Sequence, residues 1–127
     1  MRLLIVDDSN LIRNFIARIA SAKGYDPAHG LPGLRIVGLA TNGAQAIELA
    51  RQTTPDLVTL DITMPEMDGL ACLAELTKIV PRARILMVSA LSDKATALTA
   101  LKLGAHGFLH KPFTEEQLVA ALREVLA

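Results

Sequence analysis

Five short apolar runs punctuate the chain: Leu3-Leu4-Ile5-Val6, Ile36-Val37-Gly38-Leu39, Leu57-Val58-Thr59-Leu60, Ile85-Leu86-Met87-Val88 and Gly107-Phe108-Leu109. None alternates apolar with polar residues, which is the pattern of strands buried on both faces of a parallel sheet covered by helices. Between them the apolar positions fall at helical spacing. Leu11, Ile12, Phe15, Ile16 and Ile19 form one stripe, Ala46, Ile47 and Ala50 a second, and Leu70, Leu73 and Leu76 a third. Leu98 with Leu101, and Leu118 with Leu122 and Val125, complete the set. Asn42 ahead of Gln45 and Thr114 ahead of Gln117 have the spacing of helix N-caps and capping boxes. Regular alternation of strand and helix with short connections predicts a doubly wound α/β domain. One connection is longer: Gly24 to Gly33 is rich in Gly and Pro and reads as a loop. Its glycines do not make a phosphate loop, because the spacing is wrong and no helix follows.

Composition narrows the class. The 127 residues suit one domain, 1–127, with no linker or internal repeat. Half the chain is hydrophobic but holds only three Phe and one Tyr, so the core is aliphatic. Thirteen basic and thirteen acidic side chains cancel, which leaves no field for nucleic acid or anionic lipid. The one cysteine, Cys72, excludes an internal disulfide, fits a reducing compartment, and reads as a small helix residue rather than a reactive thiol. No apolar run spans a membrane, and the first residues lack a secretory pattern, so a soluble cytoplasmic protein is expected.

In an open parallel sheet, ligands bind beyond the carboxyl ends of the strands. Asp7 and Asp8 follow the first run, Asp61 the third, Ser89 the fourth, and Lys111-Pro112 the fifth. Singly, each has a plain structural reading: a helix-start acid, a turn residue, a cap, a solvated lysine. Delivered together to one sheet edge by four strands, they read as a site. Two carboxylates about 4 Å apart repel by roughly 4 kcal/mol at an effective dielectric near 20, which calls for a cation or a proton. An all-oxygen donor set suits Mg²⁺ or Mn²⁺ and argues against zinc. A carboxylate beside such a cation is equipped to attack a phosphoryl group, with Lys111 and Ser89 stabilising its oxygens.

These residues, in this order, resemble the receiver domain of two-component response regulators over nearly the whole chain. Asp7-Asp8 matches the acidic pair, Thr59 through Gly69 the phosphoacceptor segment, Ser89-Ala90 the switch hydroxyl with its small neighbour, and Lys111-Pro112 the closing pair. The resemblance implies a flavodoxin-like five-stranded parallel sheet of order 2-1-3-4-5 with five helices. It implies that Asp61 accepts phosphate from a sensor histidine kinase. It also implies that Mg²⁺ is held by Asp8, Asp61 and the Thr63 carbonyl, with Asp7 acting through water. Lys111 then pairs with the phosphate across a cis Lys111-Pro112 bond, and Ser89 with Phe108 forms the conformational switch. A downstream protein is expected on the face made by the fourth helix, fifth strand and fifth helix, with the chain a monomer or weak dimer.

The stand-alone length is closest to chemotaxis CheY-type proteins. Phe108 in place of tyrosine, the long loop around His29 and Leu91 in place of an acidic residue depart from that subfamily. Four other readings are weaker. A flavin carrier needs a phosphate cradle where Asp7 and Asp8 stand. A phosphohydrolase needs a placed acid-base and a cap, and His110 reads as a strand residue pointing elsewhere, so only slow self-dephosphorylation is expected and no enzyme. A phosphorelay intermediate keeps the same residues, whereas a degenerate interaction module loses some of them, and here all are kept.

Overall fold

The structure, a computed structural model, describes residues 1–23, 25–26, 31–64, 67–90 and 94–127. Five parallel strands, β1 (Arg2–Val6), β2 (Arg35–Ala40), β3 (Leu57–Asp61), β4 (Arg84–Ser89) and β5 (Gly107–His110), form one sheet in the order β2-β1-β3-β4-β5. Helices α1 (Asn10–Lys23), α2 (Gly43–Thr53), α3 (Gly69–Ile79), α4 (Lys94–Lys102) and α5 (Glu115–Leu126) alternate with them. This is the doubly wound α/β architecture that the strand-helix alternation predicts, in the flavodoxin-like strand order that the family resemblance implies.

Side chains alternate across each strand, and the two faces carry separate cores. Leu3, Ile5, Leu57, Leu86 and Val88 meet Ile16, Ile19 and Ala20 of α1 and Leu118, Leu122 and Val125 of α5. Leu4, Val6, Val58, Leu60, Ile85 and Met87 meet Ala46 and Ala50 of α2, Cys72, Leu73 and Leu76 of α3, and Ala100 of α4. Each large side chain so buried contributes about 1.5–3 kcal/mol. The helix starts follow the sequence signals. Asn42 accepts from the Gln45 amide at 2.9 Å, and Thr114 with Gln117 forms a reciprocal capping box.

Three expectations need correction. Leu11, Leu98 and Leu101 are 82%, 56% and 47% exposed rather than core. Leu11 sits in the first turn of α1, ahead of the sheet, and α4 covers the sheet with Ala100 instead. Strands β2 and β5 are edges, so Phe108 and Leu109 are half-buried and Leu39 is exposed. The Gly24–Gly33 connection is not only loop: Tyr25–Asp26 pairs antiparallel with Leu31–Pro32, and Leu31 is buried against the α1–α5 core. Gly33 accepts a hydrogen bond from the Met1 amine at 2.7 Å, which puts it at the amino ends of the strands. Residues 24 and 27–30, like Pro65, Glu66 and Leu91, lie outside the described residues.

Candidate functional site

Strand register brings the acidic residues together. β1 and β3 are neighbours, with Ile5 opposite Thr59, so Asp7 and Asp61, each two residues further on, leave the same face at the same carboxyl edge. Carboxylate oxygens of Asp7, Asp8 and Asp61 lie within 4.8 Å of one another; Asp7 and Asp61 are buried, and Asp8 is exposed. The Lys111 ammonium reaches in from the end of β5, 2.8 Å from Asp7 Oδ2 and 3.5 Å from Asp61 Oδ1. The Lys111-Pro112 peptide is cis.

Asp7 is fixed from several directions. Its amide donates to Ala40 O at 3.0 Å, its Oδ1 accepts from the Ser9 amide at 2.9 Å, and its carbonyl accepts from Arg13 Nη1 at 2.7 Å. Ser9 in turn accepts from the Ile12 amide at 3.3 Å as α1 begins. Asp61 accepts a longer hydrogen bond, 3.4 Å, from the Thr63 amide. Burial first, then the charge of Asp7, pushes the Asp61 carboxyl up from 3.8 to about 6, against the opposing pull of Lys111 and the Thr63 amide.

Ser89 is buried at the end of β4, and its carbonyl accepts from the Lys111 amide at 2.8 Å. By strand alternation it shares the face of Ile85 and Met87. Phe108, opposite Met87 on β5, packs half-buried against that same α2–α4 core. Ser89 and Phe108 are therefore neighbours on one side of the sheet, while Asp7 and Asp61 stand at its edge on the other. Thr63 is exposed, and His110 is an exposed residue ending β5.

Sequence reasoning assigned no role to Gly69 or Arg13. Gly69 opens α3 behind its N-cap Asp68, and its amide bonds Ile62 O at 2.6 Å. A Cβ there would fall 2.2 Å from Asp61 O and 2.4 Å from Ile62 Cα, so only glycine lets α3 start against the Asp61 backbone. The Asp68-Gly69 pair that closes the acceptor segment was the available signal. For Arg13, nothing in the spacing marked it.

A hard cation fits these residues: the converging donors are all carboxylate oxygens, two of them buried, with no Cys or His in the group. An α/β fold of this order with acid-lined edge and an incoming lysine defines a receiver-type domain. Residues 3–123 match the family model described as the response regulator receiver domain. The chain is 40% identical to the chemotaxis protein CheY of Thermotoga maritima over 98% of its own length and 96% of that protein. Identity to CheY of Bacillus subtilis is also 40%, covering 98% and 97%. Its fold superimposes with a TM-score of 0.89 on a chain of the CheX–CheY–BeF3–Mg²⁺ complex from Borrelia burgdorferi, at 30% identity, covering 100% of this chain and 90% of that one. The chain belongs to the response regulator receiver family, and its function is two-component phosphorelay signalling. Among the described residues no helix is long and apolar enough to cross a membrane.

Proposed function

We propose that Asp61 accepts a phosphoryl group from a sensor histidine kinase in a Mg²⁺-dependent reaction, and that residues 1–127 act as one receiver unit. The observation that carries this is the convergence of three carboxylates within 4.8 Å beside the Lys111 ammonium. Asp8, Asp61 and the Thr63 carbonyl would hold Mg²⁺, or Mn²⁺ in its place, with Asp7 assisting through water. When bound, the cation neutralises charge between the attacking carboxylate and the phosphoryl oxygens.

Asp61 contributes the nucleophile. Its carboxylate oxygen forms the new O–P bond as the N–P bond of the donor phosphohistidine breaks, and the imidazole leaves with the nitrogen electron pair. Lys111, already paired with Asp7 and Asp61, turns its ammonium onto the arriving oxygens. Ser89 hydrogen-bonds one of them, and the Phe108 ring moves into the space the hydroxyl leaves. Neither step uses turnover, so the protein is a signalling switch and not an enzyme, losing its own phosphoryl group only slowly.

The output face is α4–β5–α5. Leu98 and Leu101, one turn apart on α4, and Leu103 just beyond it are exposed there, which suits docking of a downstream protein. Similarity to CheY proteins favours chemotaxis as the setting, in the cytoplasm, with a monomer or weak dimer. The test is labelling with a small-molecule phosphodonor and Mg²⁺. Hydroxylamine-sensitive label is expected in the parent and absent in Asp61→Asn; label at parent level in the variant overturns the assignment.

A further inference from the structure

Asp8 is the one member of the acid cluster whose carboxylate is exposed, and among the described residues no hydrogen bond holds it. Its direction therefore depends on the backbone that carries it. The peptide between Asp7 and Asp8 is planar, so whatever holds its oxygen fixes both flanking Cα atoms in one plane. That oxygen, one residue past the end of β1, accepts from Arg13 Nη1 at 2.7 Å. The second guanidinium nitrogen, Nη2, donates to Asn10 Oδ1 on the preceding turn of α1. The half-buried Arg13 thus ties the Asp7–Asp8 peptide to the first turns of the helix through a planar fork.

We propose that Arg13 is a positioning residue for the cation site: it touches neither the metal nor the phosphoryl group and acts by setting the peptide from which Asp8 projects. This rests on the reading of Asp7, Asp8 and Asp61 as the Mg²⁺ site. The charge on Arg13 gives the idea a sign that tests it. A guanidinium beside a cation site opposes cation binding by Coulomb repulsion. If charge were all that mattered, Arg13→Gln would tighten Mg²⁺ binding and Arg13→Lys would leave it unchanged. A positioning role reverses both. Gln loses the fork, and Lys keeps the charge but offers one compact ammonium that cannot bridge Asp7 O and Asn10 Oδ1 with the same geometry.

The experiment is Mg²⁺ titration calorimetry on the folded full chain, with circular dichroism as the check on folding. The Mg²⁺ Kd is expected to rise about tenfold in both Arg13→Gln and Arg13→Lys, the scale seen when partners that orient metal ligands are removed. Arg13→Lys retains the long stem and the charge, so it carries the test should Arg13→Gln fold poorly. Tighter binding in Arg13→Gln, or an unchanged Kd in Arg13→Lys, overturns the proposal. Asp8→Asn separates the two levels. If it weakens Mg²⁺ binding while the Arg13 variants do not, the proposal alone fails. If Asp8→Asn leaves the Kd unaltered, the site reading fails and the proposal with it.

Discussion

Replacing Asp61 by Asn should make the metal-free protein more stable at neutral and alkaline pH. Asp61 is 3% exposed and sits against buried Asp7; burial first, then that neighbouring charge, lifts its carboxyl to about 6 from an unfolded value near 3.8. An acid raised on folding holds its proton more tightly in the folded state. Its charged form therefore costs stability, fully so above about pH 6, and that cost fades as pH falls toward 3.8. The gap corresponds to about 3 kcal/mol at 1.36 kcal/mol per pH unit. Water at the open sheet edge and retained pairing of Lys111 with Asp7 reduce this to about 2 kcal/mol, or about 7 °C in Tm for a chain of this length. The assay is thermal unfolding of parent and Asp61→Asn in a chelator at pH 8 and pH 5. The variant should lead by the full amount at pH 8 and by about half at pH 5. Saturating Mg²⁺ at pH 8 should raise the parent far more than the variant. A variant no more stable than the parent at pH 8, or a lead independent of pH, would refute the argument that Asp61 is held in an electrostatically costly place.

Gly69→Ala gains about 1 kcal/mol of helix propensity but forces a Cβ to 2.2 Å from Asp61 O, so it should lose about 3 kcal/mol net and slow phosphorylation, by denaturant melts and labelling. His106 is exposed, but its Nδ1 accepts from the Ile85 amide at 3.0 Å, and partial desolvation of the ring, then nearby Arg84, lowers its pKa below 6.5. Stability should fall as pH drops from 6.5 toward that lower value, and His106→Gln should flatten this part of the pH–Tm curve. Cys72 is buried with its thiol pushed up to about 12, so a disulfide exchange reagent should label it only on unfolding; rapid native labelling would contradict this. Leu98→Ser and Leu101→Ser should change stability by less than about 0.5 kcal/mol while weakening capture of the downstream partner.

The central strands were legible because their physics is local. A run such as Leu57 to Leu60 ending in Asp61 states both burial and the point where the strand meets the ligand edge, and the register then follows from sheet order. The edge strand Gly107–His110 reads the same way yet is half-buried, because an apolar run does not say whether a strand has two neighbours or one. Helical periodicity similarly finds a stripe without its limits. It included Leu98 and Leu101 although α4 lies toward the edge and needs only Ala100 against the sheet. The identities of the candidate site residues were readable from strand ends, whereas their supports were not. The contact of Lys111 with Asp7, the fork of Arg13 and the close approach of Gly69 all depend on where loops place atoms after the strands have paired.

On the proposed reading, that separation of strand and loop also explains how a charge event at one edge reaches a surface on the other side of the sheet. The buried members of the two cores are almost all aliphatic, and close-packed interiors of that kind resist rearrangement. The carboxyl ends of β4 and β5 are different. Lys111 carries the charge partner of Asp61, and its own amide bonds the carbonyl of Ser89, so a shift of one strand end toward a phosphoryl group is felt by the other. Ser89 and Phe108 lie on the α2–α4 side, and Phe108 is only half-buried, so the ring has a direction in which burial can increase. Inverting a 1:99 equilibrium takes about 5.5 kcal/mol of differential interaction. Pairing of a dianionic group with Lys111 and a divalent cation acts on that scale, whereas burying the remainder of one aromatic ring adds about 1–2 kcal/mol. The charge must therefore drive the transition, and the ring sets which face reports it. Because Phe108 has no hydroxyl to anchor at the surface, its position depends on packing alone.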